Sequence, residues 1–162
     1  MVVVGFTGPS NSGKTTIIEK VVEKAIARGL KVGVIKHDPK NKAQLDTPGK
    51  DSWKFYNGGA DVVVVSPVRT TLFFHHQIPW KELFHLFKGY DILIVEGLRT
   101  IPIPRIGVFR NRFDPTYLPH LTGIATDNSI SPDQLPPHLP RLDLNNPDQI
   151  LEWILTHGER WS

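Results

Sequence analysis

The chain has 162 residues, 40% of them hydrophobic, with 19 Lys and Arg against 16 Asp and Glu for a formal net charge of +3. That length and balance predict one folded domain over residues 1–162 and exclude a largely disordered chain. The longest apolar runs, Val62 to Val65 and Ile92 to Val95, fall far short of the roughly 20 residues that cross a bilayer. The absence of cysteine excludes disulfides and thiolate metal sites and fits the cytoplasm. The basic residues are dispersed, so no nucleic-acid-binding block is expected.

Val2 to Phe6 is a continuous, mostly β-branched apolar run that predicts a buried strand and has no positively charged leader before it. A glycine-rich loop follows, then Ile17, Ile18, Val21, Val22, Ala25 and Ile26 at helical spacing. That helix is expected to end at Arg28, with Gly29 as its left-handed cap, and Lys31 to Ile35 supplies a second strand. Buried runs at Val62 to Val65 and Ile92 to Val95 continue the alternation, the second preceded by a helical stripe of Trp80, Leu83, Phe84 and Phe87. The fold class is therefore α/β, a three-layer, mostly parallel sheet with helices on both faces.

Thr70 to Phe74 reads as an added strand with an exposed edge. Thr100 to Leu121 carries four prolines and three arginines and predicts an irregular excursion with one strand at Ile106 to Phe109. Leu121 to Thr126 is expected to be the last core strand. Pro132, Pro136, Pro137 and Pro140 then mark an extended connector without regular structure. Asn146 as cap and Pro147 at the first position open a terminal helix.

Gly8-Pro9-Ser10-Asn11-Ser12-Gly13-Lys14-Thr15 has the G-x-x-x-x-G-K-[ST] form and sits between strand and helix, the context such a motif requires. Its glycines allow successive backbone N–H groups to face phosphate oxygens, and the helix amino terminus adds partial positive charge. Lys14 is expected on the β and γ phosphates, the Thr15 hydroxyl on Mg²⁺ and Thr16 near an α-phosphate oxygen. Glu96, at the end of a buried strand, is the candidate to hold Mg²⁺ through water or to polarise the attacking water. Asp91, at the start of that strand, reads as structural.

Asp46-Thr47-Pro48-Gly49 has the D-x-x-G form of a γ-phosphate sensor, and equally that of a plain turn before a helix whose first turn holds Asp51. Lys36 and His37 leave the second strand at its ligand-binding end and read either as ligand contacts or as surface residues. His75 and His76 alternate on a strand and cannot chelate one metal together in the simple way of helical i, i+4 histidines. Arg99, Arg105, Arg110 and Arg112 form a loose cationic group, suited to phosphorylated ligands or to ordinary surface roles. Thr126-Asp127 closes a late strand where base-reading residues stand in nucleotide-binding proteins, but the N-K-x-D guanine signature is absent, so these residues leave the base open.

Together, G-x-S-x-S-G-K-T-T, V-I-K-H-D, D-T-P-G-K-D-S and I-V-E-G-L-R resemble the MobB family over roughly residues 1 to 110, with the carboxy-terminal third matching loosely. The resemblance implies a GTP-binding, weakly GTP-hydrolysing adapter of molybdenum-cofactor biosynthesis. Such an adapter assists a MobA-type guanylyltransferase that joins GMP to molybdopterin, giving the guanine dinucleotide, and it is a homodimer. By position, Gly8 to Thr16 would bind phosphates and Asp46 and Glu96 would lie near Mg²⁺. Lys36, His37, Lys50 and Asp51 would line the same cleft, with Arg99 at its rim. Leu98 and Arg99 replace the Phe-Lys often found after V-E-G in that family. The competing reading is an ATP-dependent small-molecule kinase, with the segment Arg99 to Arg112 as a lid and Glu96 or Asp46 activating an acceptor hydroxyl.

Overall fold

The computed structural model describes every residue from Met1 to Ser162. In chain order the elements are β1 (Val2–Thr7), α1 (Lys14–Ala27), β2 (Val32–Lys36), α2 (Asp51–Asn57), β3 (Val62–Ser66), β4 (Arg69–Phe73), α3 (Trp80–His85), β5 (Ile92–Glu96) and β6 (Arg105–Phe109). There follow β7 (Gly123–Thr126), β8 (Arg141–Asp143), α4 (Pro147–His157) and β9 (Glu159–Arg160). The chain divides into two compact units, one of Met1–His37 with Phe84–Ser162, the other of Asp38–Leu83. No helix is long and apolar enough to cross a membrane.

The first unit is built on a sheet in the order β2-β5-β1-β6-β7-β8, parallel throughout, with β9 antiparallel to the start of β1. All six residues of β1 are buried because parallel neighbours flank it on both edges. Chain connections leave β1 toward β2 on one side and pass to β6 on the other, so the strand order reverses beside β1. In open α/β sheets that reversal, at the carboxyl ends of the strands, marks the crevice for ligands.

The period of two separates the faces. Val2, Val4, Phe6, Ile92, Ile94, Ile106 and Val108 pack with Ile17, Val21 and Ala25 of α1 and Ile150, Leu151 and Ile154 of α4. Asn146 caps α4, its side chain accepting from Gln149 N at 3.0 Å, with Pro147 at the first position. On the opposite face Phe87 occupies the space above Gly33, and Phe109, Leu121, Ile124, Ile130 and Leu135 form a second cluster. The 3₁₀ turn Pro115–His120 adds Tyr117 to that cluster.

In the second unit β3 and β4 form an isolated antiparallel hairpin, with Val63 opposite Leu72 and Val65 opposite Thr70. Ser66 closes its turn, accepting from Arg69 N at 3.0 Å. His75 stacks on Tyr56, their ring centroids 3.9 Å apart, and its Nε2 lies 2.9 Å from the Tyr56 carbonyl oxygen. The added strand expected at Thr70 to Phe74 is present as β4.

Several expectations are corrected. Val62 to Val65 is not a buried parallel strand: it pairs antiparallel with β4 on one edge, with only the short α2 against it, and Val63, Val64 and Val65 are exposed. Ile106 to Phe109 belongs to no excursion; within β6 it is fully buried beside β1. β7 is not the last strand, since β8 continues the sheet after the proline-rich connector, which itself contains a short 3₁₀ turn at Pro132–Gln134. Pro140 precedes β8, and its carbonyl accepts the Ile124 N–H at 2.9 Å, so a proline just outside the strand does not interrupt the ladder.

Candidate functional site

The loop from Gly8 to Gly13 joins the buried end of β1 to the amino terminus of α1. Three of its residues have positive φ, Gly8 at 141°, Asn11 at 60° and Gly13 at 95°. A Cβ at Gly8 would collide with the Val108 carbonyl, so glycine is required there by space as well as by backbone. The N–H groups of Ser10, Asn11, Ser12 and Gly13 have no acceptor within the protein. Ser12 is 3% exposed, and its Oγ has no partner either. A row of unsatisfied donors and an orphaned buried hydroxyl is costly unless a ligand completes it. Phosphate oxygens have the chemistry to do so.

The Lys14 ammonium bridges two carbonyls of this loop, Gly8 O at 2.8 Å and Pro9 O at 2.7 Å. Burial lowers its pKa below the ordinary lysine value; the Glu96 carboxylate opposes that shift and Lys36 adds to it. Glu96 ends β5 in register with Phe6 of β1, and its Oε2 accepts from Lys36 Nζ at 2.8 Å. Lys36 therefore meets Glu96 directly, while the His37 ring is exposed and its backbone N–H donates to Glu96 O at 2.9 Å. Thr15 and Thr16 stand exposed on the first turn of α1, and Pro9, Ser10 and Asn11 form the outer part of the loop.

Asp46, Lys50 and Asp51 lie in the second unit. Asp46 Oδ1 accepts from Thr47 N at 2.8 Å and Ser52 Oγ at 3.2 Å, which is the turn role, while Oδ2 is buried without a partner. Lys50 precedes α2 and makes no side-chain cap, and Asp51 is in its first turn, 3.9 Å from Lys54. Asp91 is structural, as expected: its carboxylate accepts from Lys31 N at 2.7 Å, before β2.

The four arginines do not act as one group. Arg99 lies over the Tyr117 ring, 5.0 Å from its centroid. Arg110 sits beside the loop, its Nε 3.4 Å from where a Cβ on Gly13 would stand, and pairs with Asp127 at 3.3 Å. Asp127 Oδ1 accepts from Ser129 N at 3.0 Å and from the Ser129 hydroxyl. These bonds to Ser129, aided by the Arg110 charge, hold its carboxyl below the usual range. Thr126, Asp127, Ser129, Arg141 and Asp143 border a cavity of about 750 Å³ at the ends of β7 and β8. Arg105 is 1% exposed and belongs to the interior. Sequence reasoning missed its burial; the available signal was Gly5, a gap in the β1 run that leaves room for a large side chain on the neighbouring strand.

The model of the family described as molybdopterin guanine dinucleotide synthesis protein B, MobB, matches residues 3–127. A molybdopterin-guanine dinucleotide biosynthesis adapter protein of Haemophilus influenzae is 31% identical, over 98% of this chain and 88% of its own length. The crystal structure of Bacillus subtilis MobB superposes with a TM-score of 0.76 at 25% identity, covering 99% of this chain and all of that one. A crystal structure of molybdopterin-guanine biosynthesis protein B gives 0.67 at 28% identity, over 96% and 97% of the two chains.

Proposed function

Because the chain belongs to the MobB family, we propose that it is a GTP-binding adapter of molybdenum-cofactor biosynthesis. It would assist a MobA-type guanylyltransferase as GMP is joined to molybdopterin. The observation that carries the nucleotide part is the loop from Gly8 to Gly13, with its unpaired N–H groups, orphaned Ser12 hydroxyl and bridging Lys14. In this reading residues 1–162 are one P-loop domain, with the second unit inserted in its sequence between His37 and Phe84.

Gly8 to Thr16 would hold the phosphates, with Lys14 as a point charge that moves from the loop carbonyls to phosphate oxygens. Mg²⁺ would be held by the Thr15 hydroxyl and the Glu96 carboxylate, and would neutralise charge across the phosphate oxygens. Lys36 orients Glu96 through their 2.8 Å ion pair. His37 and Arg99 are assigned to the surroundings of the nucleotide. Arg99 on Tyr117 and Arg110 on Asp127 are both engaged elsewhere, so hydrolysis is slow until a partner rearranges them or supplies its own group. The protein works in the cytoplasm as a homodimer, and the exposed valines of the hairpin are the proposed pairing face.

The test is calorimetric titration with GTP and ATP in the presence of Mg²⁺. GTP is expected to bind more tightly than ATP, and Lys14→Ala to weaken GTP by roughly 10- to 100-fold, the value of a charge-assisted hydrogen-bonding group. A Lys14→Ala protein that binds GTP as well as the parent would overturn the phosphate site. A preference for ATP would overturn the guanine assignment.

A further inference from the structure

Arg105 carries a buried guanidinium with no carboxylate beside it. It lies over Gly5, where a Cβ would come within 2.6 Å of Nη1. Burial, and then the charge of Arg99, lower its pKa to about 10, so it remains a cation at neutral pH. Its compensation comes from three backbone carbonyls of the segment that follows Glu96. Nη1 donates to Gly97 O at 2.7 Å, and Nη2 to Leu98 O and Ile101 O, each at 3.1 Å. Thr122 fixes the strand below, its Oγ1 accepting from Arg105 N at 2.8 Å.

This arrangement dictates the other edge of each peptide. In a trans peptide the N–H points opposite to the C=O. Drawing the carbonyls of Gly97 and Leu98 onto Arg105 therefore turns the N–H groups of Leu98 and Arg99 away from it. Neither N–H has an acceptor within the protein. Gly97 at φ 85° and Leu98 at φ 46° are consecutive left-handed residues, and the second is strained for a residue with a side chain. Successive N–H groups in such a turn form an anion-accepting concavity, and a cation on their carbonyls polarises them further. The segment starts at Glu96, whose electrostatic partners are Lys14 and Lys36, so the concavity opens from the residue that the phosphate-site reading places near Mg²⁺.

We propose that Arg105 is a positioning residue that presents the N–H groups of Leu98 and Arg99 to a terminal phosphate oxygen, making the segment from Gly97 to Ile101 the discriminator between nucleoside triphosphate and diphosphate. The inference rests on the phosphate-site reading above. Lysine could not replace the planar fork that reaches three carbonyls at once. A hydrophobic residue would leave those carbonyls unpaired and the peptides free to turn.

The experiment compares Mg²⁺-dependent affinities for a non-hydrolysable GTP analogue, GDP and GDP with inorganic phosphate in the parent, Arg105→Lys and Lys14→Ala. Thermal unfolding checks that each variant is folded. Arg105→Lys is expected to reduce the preference for triphosphate over diphosphate roughly tenfold while GDP affinity stays near that of the parent. Equal weakening of both ligands, or an unchanged ratio, would overturn the inference. Lys14→Ala weakens both ligands if the phosphate site is correct, so failure of that reading is separately visible. Amide resonances of the parent keep the test decisive if the variant does not fold. Those of Leu98 and Arg99 should shift with the triphosphate and not with GDP; shifts absent from both, or produced in full by phosphate alone, would overturn the terminal-phosphate assignment.

Discussion

Two valine-rich strands of this chain have opposite fates. Val2-Val3-Val4-Gly5-Phe6-Thr7 is buried at every position, whereas Val62-Val63-Val64-Val65-Ser66 is exposed from its second residue onward. Both runs carry the same local preference for extended backbone. The difference lies in what stands beside and above them: β1 has parallel strands on both edges and α1 and α4 over one face, while β3 has β4 on one edge and only the short α2 against it. An apolar β-branched run thus specifies a strand but not its burial. The phosphate loop also depends on this, since Gly8 keeps its conformation against the carbonyl of buried Val108.

The largest expected effect tests that contrast. Val4→Asp, placing a carboxylate at a fully buried position, should destabilise the fold by about 4 kcal/mol or more. Val65→Asp should change the stability of the isolated chain by no more than about 0.5 kcal/mol. Urea unfolding of both variants, at a concentration where the protein is monomeric, measures the difference. Similar losses would mean that β3 is covered in the folded chain.

Next in size is the end of the sheet that β1 does not reach. Asp127, ionised by its bonds to Ser129, borders the large cavity beyond β7. As an acceptor it suits the paired donors of a guanine edge. Asp127→Asn should therefore weaken GTP by about tenfold and improve xanthosine triphosphate, whose carbonyl replaces the amino group. Competition binding with both nucleotides decides it, and loss of affinity for both alike would place the base elsewhere.

The smallest effect near neutrality, growing with alkalinity, concerns Lys14. Its pKa in the free protein is lowered by burial, and a bound phosphate raises it again. Binding therefore takes up protons, and GTP affinity falls as pH rises through the lowered value, by at most about tenfold per pH unit. Titrations in buffers of different ionisation enthalpy detect that proton uptake. An affinity constant to about pH 10, the ordinary lysine range, would assign the interaction to backbone groups alone.

Much of the site was legible because its chemistry is local. A glycine loop between an apolar run and a helical stripe, followed later by a carboxylate ending another apolar run, is written in short stretches whose spacing reflects backbone geometry. The same holds for Asn146 and Pro147, which announce α4, and for Asp91. These features depend on residues within a few positions of one another, and the sequence by itself determined them. The tertiary structure decided what depends on distant neighbours. It placed β6 beside β1, left β3 exposed, brought Arg110 from the end of β6 to Gly13, and buried Arg105 over Gly5 where the sequence showed one arginine among four. A charge or an apolar run becomes interior or exterior only when other strands and layers close over it, and no local pattern records which ones will.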